Sequence, residues 1–481
     1  MSATRPRAGQ PVAAVAAPAG ITVDPAPESD PAFATDAATP FRLRRLDLVA
    51  LAEGDLDARR DRDALVRRGA VPDRRTREAV RTILADVRGR GDVAVQAANA
   101  RVGGGRSDGR LVLDPDDLRA ARDRLTPRVH RALDQAIDHV RRFAETQRPS
   151  SARLTISPGI EIERRWTPLA RVGAYVPGGS AAYPSSLVMT VVPARVAGVG
   201  QVVVASPAAA DGTTNAVLLG AAGLLEVDTL IVAGGAQAIG ALAYGLPMAG
   251  VQPVDRIVGP GNAWVTAAKI EVCGEVGIDL PAGPSEGMVL AAPPALPERI
   301  AADLITQAEH GPDSPAILVT TDAAFADAVE AAVSHQLERA ARREILAAAL
   351  RDHGRIVLAP TLDAAVDFVN AYGPEHLSVD VEPLEPTVGR LRNAGSLFVG
   401  PWAPDSAGDY ATGANPVLPT GGLARASGAL AVESYGKFVQ VQRIDRGGLA
   451  SIRDTIATLA ETEGLLAHRD AVEIRFEDPA R

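Results

Sequence analysis

One cysteine in 481 residues leaves this chain without the means to build a disulfide framework or a thiolate metal cage. That residue, Cys273 in the run KIEVCGEV, reads as a small buried apolar side chain. Positive charge is also scarce. Against 59 Asp and Glu there are 50 Lys and Arg, a net charge of −9, which argues against nucleic acid or an anionic membrane surface as a partner. Uninterrupted apolar spans are missing too. The two longest uncharged stretches, VGAYVPGGSAAYPSSLVMTVVPA and TLIVAGGAQAIGALAYGLPMAGVQPV, are broken by Gly and Pro at strand-to-helix spacing. They are expected to form buried strand, tight turn and helix rather than a membrane helix. The N-terminal segment lacks a positive-then-apolar signal design, so a cytoplasmic location is expected. No Gly-rich turn matches GxGxxG. The nearest runs, YVPGGS, VAGGAQAIG and VGPGNAW, do not name a cofactor by spacing alone.

What is present is ordinary for a globular chain, with 46% hydrophobic and 23% charged residues. The length suggests roughly two to four domains. Residues 1–41 are Ala- and Pro-rich without a sustained period and are expected to be a disordered tail. A charged helical pattern follows to about Gln147, with a short strand expected at LTISPG or IEIERRW. Then β-rich runs alternate with amphipathic helices. They are RVGAYVP, QVVVASP, TLIVAGG and RIVGPG, then MVLAA, AILVTT, RIVLAP and SLFVG. Two groups of four strands alternating with helices imply an α/β fold with two parallel-sheet domains. Ligands are expected at the carboxyl ends of the strands, where the Gly and Pro turns lie. The last fifty residues read as helical, with LASIRDTIATLAETEGLL the clearest helix.

Seven histidines permit a census. His130, His139, His335 and His353 lie in charged helical context and are expected to be solvated. In ITQAEHGPD, Gln307 and His310 are three apart and share a helix face, a spacing that suits a metal but also arises by accident. Asp409 lies in the long loop after SLFVG, where Gly408 and Gly413 would let backbone approach a ligand. An ordinary turn aspartate remains the alternative there. Glu463 and His468 would point roughly 140° apart on a continuous helix. They converge only if the helix breaks, and Gly464 is a plausible break. Finally, Glu375 and His376 are adjacent in GPEHLS. Adjacent residues cannot share a face, so a common site requires irregular backbone and separate tasks.

Taken together, ten stretches in order closely resemble the histidinol dehydrogenase family across residues 42 to 475. Among them are ERRWTPLARVGAYVPGG, GGAQAIGALAYG, VGPGNAWVTAAK, AGPSEG, QAEHGPD, YGPEHL, GPWAPDSAGDYATGAN, VLPTGG and ETEGLLAH. The resemblance implies NAD-dependent oxidation of L-histidinol to L-histidine through histidinal. It implies two Rossmann-like domains with small helical N- and C-terminal extensions. The expected layout is an arm at 42–70, a catalytic domain from 71–173 and 287–430, an NAD-binding domain at 174–286 and a dimerisation arm at 431–481. Gln307, His310, Asp409 and His468 match the ligands of one zinc ion per subunit. Ser285 and Glu463 match substrate-binding positions, Glu463 suiting an ammonium group. Tyr175, Gln237 and Asn262 match NAD contacts. A homodimer with shared active sites is implied.

The resemblance also answers the adjacent pair. His376, with an ordinary pKa of roughly 6.5, would be the base for the alcohol proton, and Glu375 would activate the water that hydrates the aldehyde. One departure stands out: Pro416 occupies a position where the family usually has histidine. It leaves open a paralogue acting on another small alcohol, such as a sulfonated propanediol. Glu463 weighs against that, because a carboxylate repels a sulfonate.

Overall fold

The structure, a computed structural model, describes residues 42–178 and 183–477. The expected disordered tail lies outside the described residues. Two six-stranded sheets and one of three strands carry the chain. The first sheet runs, in spatial order, Arg44–Asp47, Arg355–Leu358, Ala316–Thr320, Gly287–Ala291, His376–Asp380 and Ser396–Val399. Every neighbouring pair in it is parallel. Its central strands, GMVLA and AILVT, are buried at every position, as expected where helices cover both faces.

The second sheet runs Val112–Leu113, Thr229–Val232, Gln201–Ser206, Arg171–Tyr175, Arg256–Val258 and Gly277–Ile278. It is parallel except at Val112–Leu113, an antiparallel edge. The third sheet is antiparallel, with Ile160–Pro168 between Ala152–Ser157 and Gly436–Ile444. No described helix is long and apolar enough to cross a membrane.

All eight expected strands form, and LTISPG and IEIERRW both contribute one. Other elements differ from expectation. The arm at 42–70 opens with the strand Arg44–Asp47, which pairs with Arg355–Leu358. The C-terminal arm carries the strand Gly436–Ile444, paired along its length with Ile160–Pro168. Residues 71–173 do not group with the first sheet. The helix Arg74–Arg90 buries Val80, Leu84 and Val87 against the helices Gly235–Tyr244 and Ala263–Val272 of the second sheet. Gly240 explains the fit, since a Cβ there would crowd Val87 at 3.1 Å. Likewise Pro115–Arg122 packs on Ala216–Leu224, and Pro127–Thr146 on Pro184–Ala197. Cys273 is exposed rather than buried, because it follows the last turn of Ala263–Val272.

Candidate active site

Between the two six-stranded sheets lies a cleft of about 280 Å³. Ser285, His310, Glu375, His376 and Asp409 line it, together with Asn262, Asp313, Tyr410 and Pro416. Chain direction explains how they meet. From the second sheet, Pro177 and Pro260 to Asn262 follow the carboxyl ends of Arg171–Tyr175 and Arg256–Val258. From the first sheet the contributions come at amino ends instead. Ser285 precedes Gly287–Ala291, His310 precedes Ala316–Thr320, and Glu375 immediately precedes His376–Asp380. The expectation of carboxyl ends throughout is therefore corrected for the first sheet.

Glu375 and His376 straddle the change from loop to strand, which lets neighbours in sequence face different ways. Both are buried, 6% and 4% exposed. Glu375 Oε2 accepts from Ser285 Oγ at 2.9 Å and from the Glu286 N–H at 2.8 Å. The His376 N–H donates to the Glu286 carbonyl at 3.2 Å. Both ring nitrogens of His376 are buried without a hydrogen-bond partner. Their nearest carboxylates are Glu375 Oε2, 3.6 Å from Nδ1, and Asp409 Oδ1, 3.8 Å from Nε2. Those gaps are too long for direct hydrogen bonds. Phe398 stacks beside the ring at 6.0 Å.

The helix Pro297–Ala308 delivers Gln307 in its last turn and His310 just beyond it. Gln307 donates from Nε2 to Ser285 Oγ at 3.3 Å, while its Oε1 is buried and unpartnered. Gly287 makes room, since a Cβ there would sit 2.7 Å from Gln307 Oε1. His310 Nε2 lies 3.9 Å from Asp409 Oδ2, and the rings of His310 and His376 are 6.3 Å apart, inclined by 17°. Asp409 belongs to a short helix, Asp405–Tyr410, rather than an open loop. Its glycine neighbours serve packing: a Cβ on Gly408 would strike Phe398, and one on Gly413 the His139 carbonyl.

Burial disfavours charge in the site. Burial pushes the Glu375 carboxyl well above the usual range, against the pull of the Glu286 N–H. Burial, and then Asp405, raise Asp409 to about 7. Burial lowers His310. Burial, with His310 adding to it, pushes His376 down to about 4, well below the ordinary value expected from sequence. A bound cation would reverse this logic for the carboxylates. The donor set partly fits one. Gln307 Oε1 is buried and unpartnered and His310 Nε2 lies 3.9 Å from Asp409 Oδ2, a mixed nitrogen and oxygen set of the kind zinc accepts. Yet no group of three or more His, Cys, Asp or Glu among the described residues is arranged to hold a metal.

Of the other expected residues, only Asn262 lines the cleft. Glu463 caps the helix Arg446–Thr462, His468 lies in Leu466–Glu473, and both are exposed. Gly464, at φ +74°, does break the helix between them. Asn262 lines the cleft and caps Ala263–Val272 through Oδ1. Tyr175 is buried, its hydroxyl accepting from the Gly235 N–H at 3.2 Å. Gln237 is buried and donates to Asn99 Oδ1 at 3.5 Å. Sequence reasoning missed Glu286, whose backbone holds both Glu375 and His376. Its place between Ser285 and the strand was the only local signal.

An α/β protein with an adjacent, buried Glu–His pair in a cleft between parallel sheets is the class that fold and geometry define. Comparison with known proteins narrows it. The family model for histidinol dehydrogenase matches residues 66–476. A histidinol dehydrogenase of Parasynechococcus marenigrum is 44% identical over 397 residues, covering 82% of this chain and 90% of that one. One from Methanothermobacter thermautotrophicus is 41% identical, covering 92% and 99%. The crystal structure of histidinol dehydrogenase from Elizabethkingia anophelis superposes with a TM-score of 0.81 at 32% identity, covering 90% of this chain and 98% of that one. The chain belongs to the histidinol dehydrogenase family and is an oxidoreductase.

Proposed function

We propose that this chain oxidises L-histidinol to L-histidine through histidinal in histidine biosynthesis, passing two hydrides to two NAD. The observation that carries the reading is His376, with both ring nitrogens buried in the cleft and unpartnered. Buried polar atoms are almost always paired, so two such orphans on one imidazole call for a partner that comes and goes. In the first step His376, neutral because burial lowers its pKa, accepts the alcohol proton as hydride leaves for NAD. In the second, Glu375 takes a proton from water as it adds to the aldehyde, and the resulting diol loses the second hydride. Ser285 anchors the Glu375 carboxyl and lies within reach of substrate in the same cleft.

Gln307, His310 and Asp409, with His468 of the partner subunit, would hold the zinc. When bound, that ion supplies Lewis-acid orientation of the substrate. Glu463 of the partner subunit would face the substrate ammonium. Support for a shared site in a homodimer is the exposure of Glu463 and His468 in their own chain. They stand beside exposed Leu459, Leu465 and Leu466, an apolar surface suited to a second copy. NAD would lie along the second-sheet wall at Asn262. Contact with Tyr175 and Gln237 would require them to exchange their present protein partners for the dinucleotide. The protein is proposed to work in the cytoplasm. NADH formation from purified protein with zinc, NAD and histidinol tests the reading. Turnover of a sulfonated propanediol with none of histidinol would overturn it.

A further inference from the structure

Behind the Glu375–His376 pair lies an ion pair between a partly buried arginine and a buried glutamate that the proposed chemistry leaves without a task. Arg68 follows the helix Leu56–Val66, far from the cleft in sequence. Its guanidinium uses every donor that it has. Nε and Nη2 fork onto the Glu286 carboxylate at 2.8 and 2.5 Å. Nη1 donates to the carbonyls of Leu65 at 3.2 Å and Tyr372 at 2.8 Å, and Nη2 donates also to the Gly373 carbonyl at 3.4 Å. The Tyr372 ring supports the guanidinium, with its centroid 3.2 Å from Cζ. The Glu286 side chain is only 4% exposed.

These contacts reach both segments that meet at the pair. Tyr372 and Gly373 lie just upstream of Pro374, Glu375 and His376. Glu286 supplies the N–H on the Glu375 carboxylate and the carbonyl under the His376 N–H. A buried ion pair is a weak source of stability, since an apolar pair of similar volume often does as well. Geometry is the better reason for it. A planar fork fixes its partners in a way that a lysine ammonium cannot.

We propose that Arg68 is a positioning residue of this active site, clamping the start of the Gly287–Ala291 strand to the turn that presents Glu375 and His376. The inference rests on the reading of that pair given above. Arg68→Lys keeps the charge and loses the fork. Histidinol turnover should then fall roughly 10- to 100-fold in kcat, the cost of a misplacement of about 1 Å, with KM for NAD within about twofold. Hydrogen–deuterium exchange across residues 373–378 should quicken, while Gln201–Ser206 and Thr229–Val232 stay as in wild type. If Arg68→Lys does not fold, Arg68→Met combined with Glu286→Leu removes both charges and serves in the same two measurements. Unchanged kcat, or exchange that rises evenly across the protein, would overturn the proposal. The exchange measurement needs no turnover. A wild type inactive on histidinol would therefore count against the proposed function, and the clamp would still be decided by exchange.

Discussion

The two large sheets present opposite ends to one cleft. The second sheet follows the usual rule for parallel sheets and offers turns at the carboxyl ends of its strands, among them Pro260 to Asn262. The first sheet offers amino ends, and with them nearly all the titratable groups of the site. At the start of a strand, backbone N–H groups can still point outward. The Glu286 N–H does so and donates to the Glu375 carboxyl, opposing part of the upward push that burial gives it. The contrast suggests a division between the walls. Under the proposed function, the first sheet would handle protons and metal, and the second would hold the dinucleotide.

Substitutions can break that division. The largest effect is expected at the first-sheet wall, where His376→Asn should lower kcat for histidinol oxidation by about 10²–10⁴-fold with little change in KM for NAD. Steady-state kinetics with both substrates varied checks this, and a change confined to the NAD constant would undo the division. Next, His310→Ala should weaken zinc retention at least about tenfold, read by elemental analysis after dialysis, because a direct ligand matters no less than its supporting shell. Equal retention would remove His310 from the metal set. Mixing His376→Ala subunits with His468→Ala subunits, dissociated and then reassociated, tests whether the arm completes the partner's site. Half the dimers would be mixed, each with one intact site, so roughly a quarter of wild-type activity should return. If His468 serves its own chain, none returns. The smallest effect belongs to the second-sheet wall. Asn262→Ala should raise KM for NAD roughly fivefold by loss of one hydrogen bond, leave kcat nearly unchanged, and lower stability by about 1 kcal/mol through the lost helix cap. Thermal melting measures the last of these.

Much of this was legible in the sequence where the signal is local. Runs such as QVVVAS and AILVT are β-branched and end at turns, so their strands could be read directly. RRLD and GKFVQVQRI could not, because each is stabilised by a partner strand some three hundred residues away. Charge in RRLD suits an edge strand but resembles a helix face in isolation. Glu375, His376, Gln307, His310 and Asp409 were found through motifs that resemble a known family, and the fold brings all five together. The depressed pKa of His376 was hidden, since it comes from burial and from His310 rather than from its neighbours in sequence. Arg68 was invisible for the same reason, being 218 residues from the carboxylate that it grips.

The central claim is that two adjacent side chains on the first-sheet wall carry different proton transfers. Glu375→Gln tests it most directly, with histidinol and histidinal supplied separately and NADH followed from each. The account predicts that turnover of histidinal falls about 10²-fold further than the first oxidation of histidinol, because only the aldehyde step needs water activated. Equal slowing of both steps would contradict it.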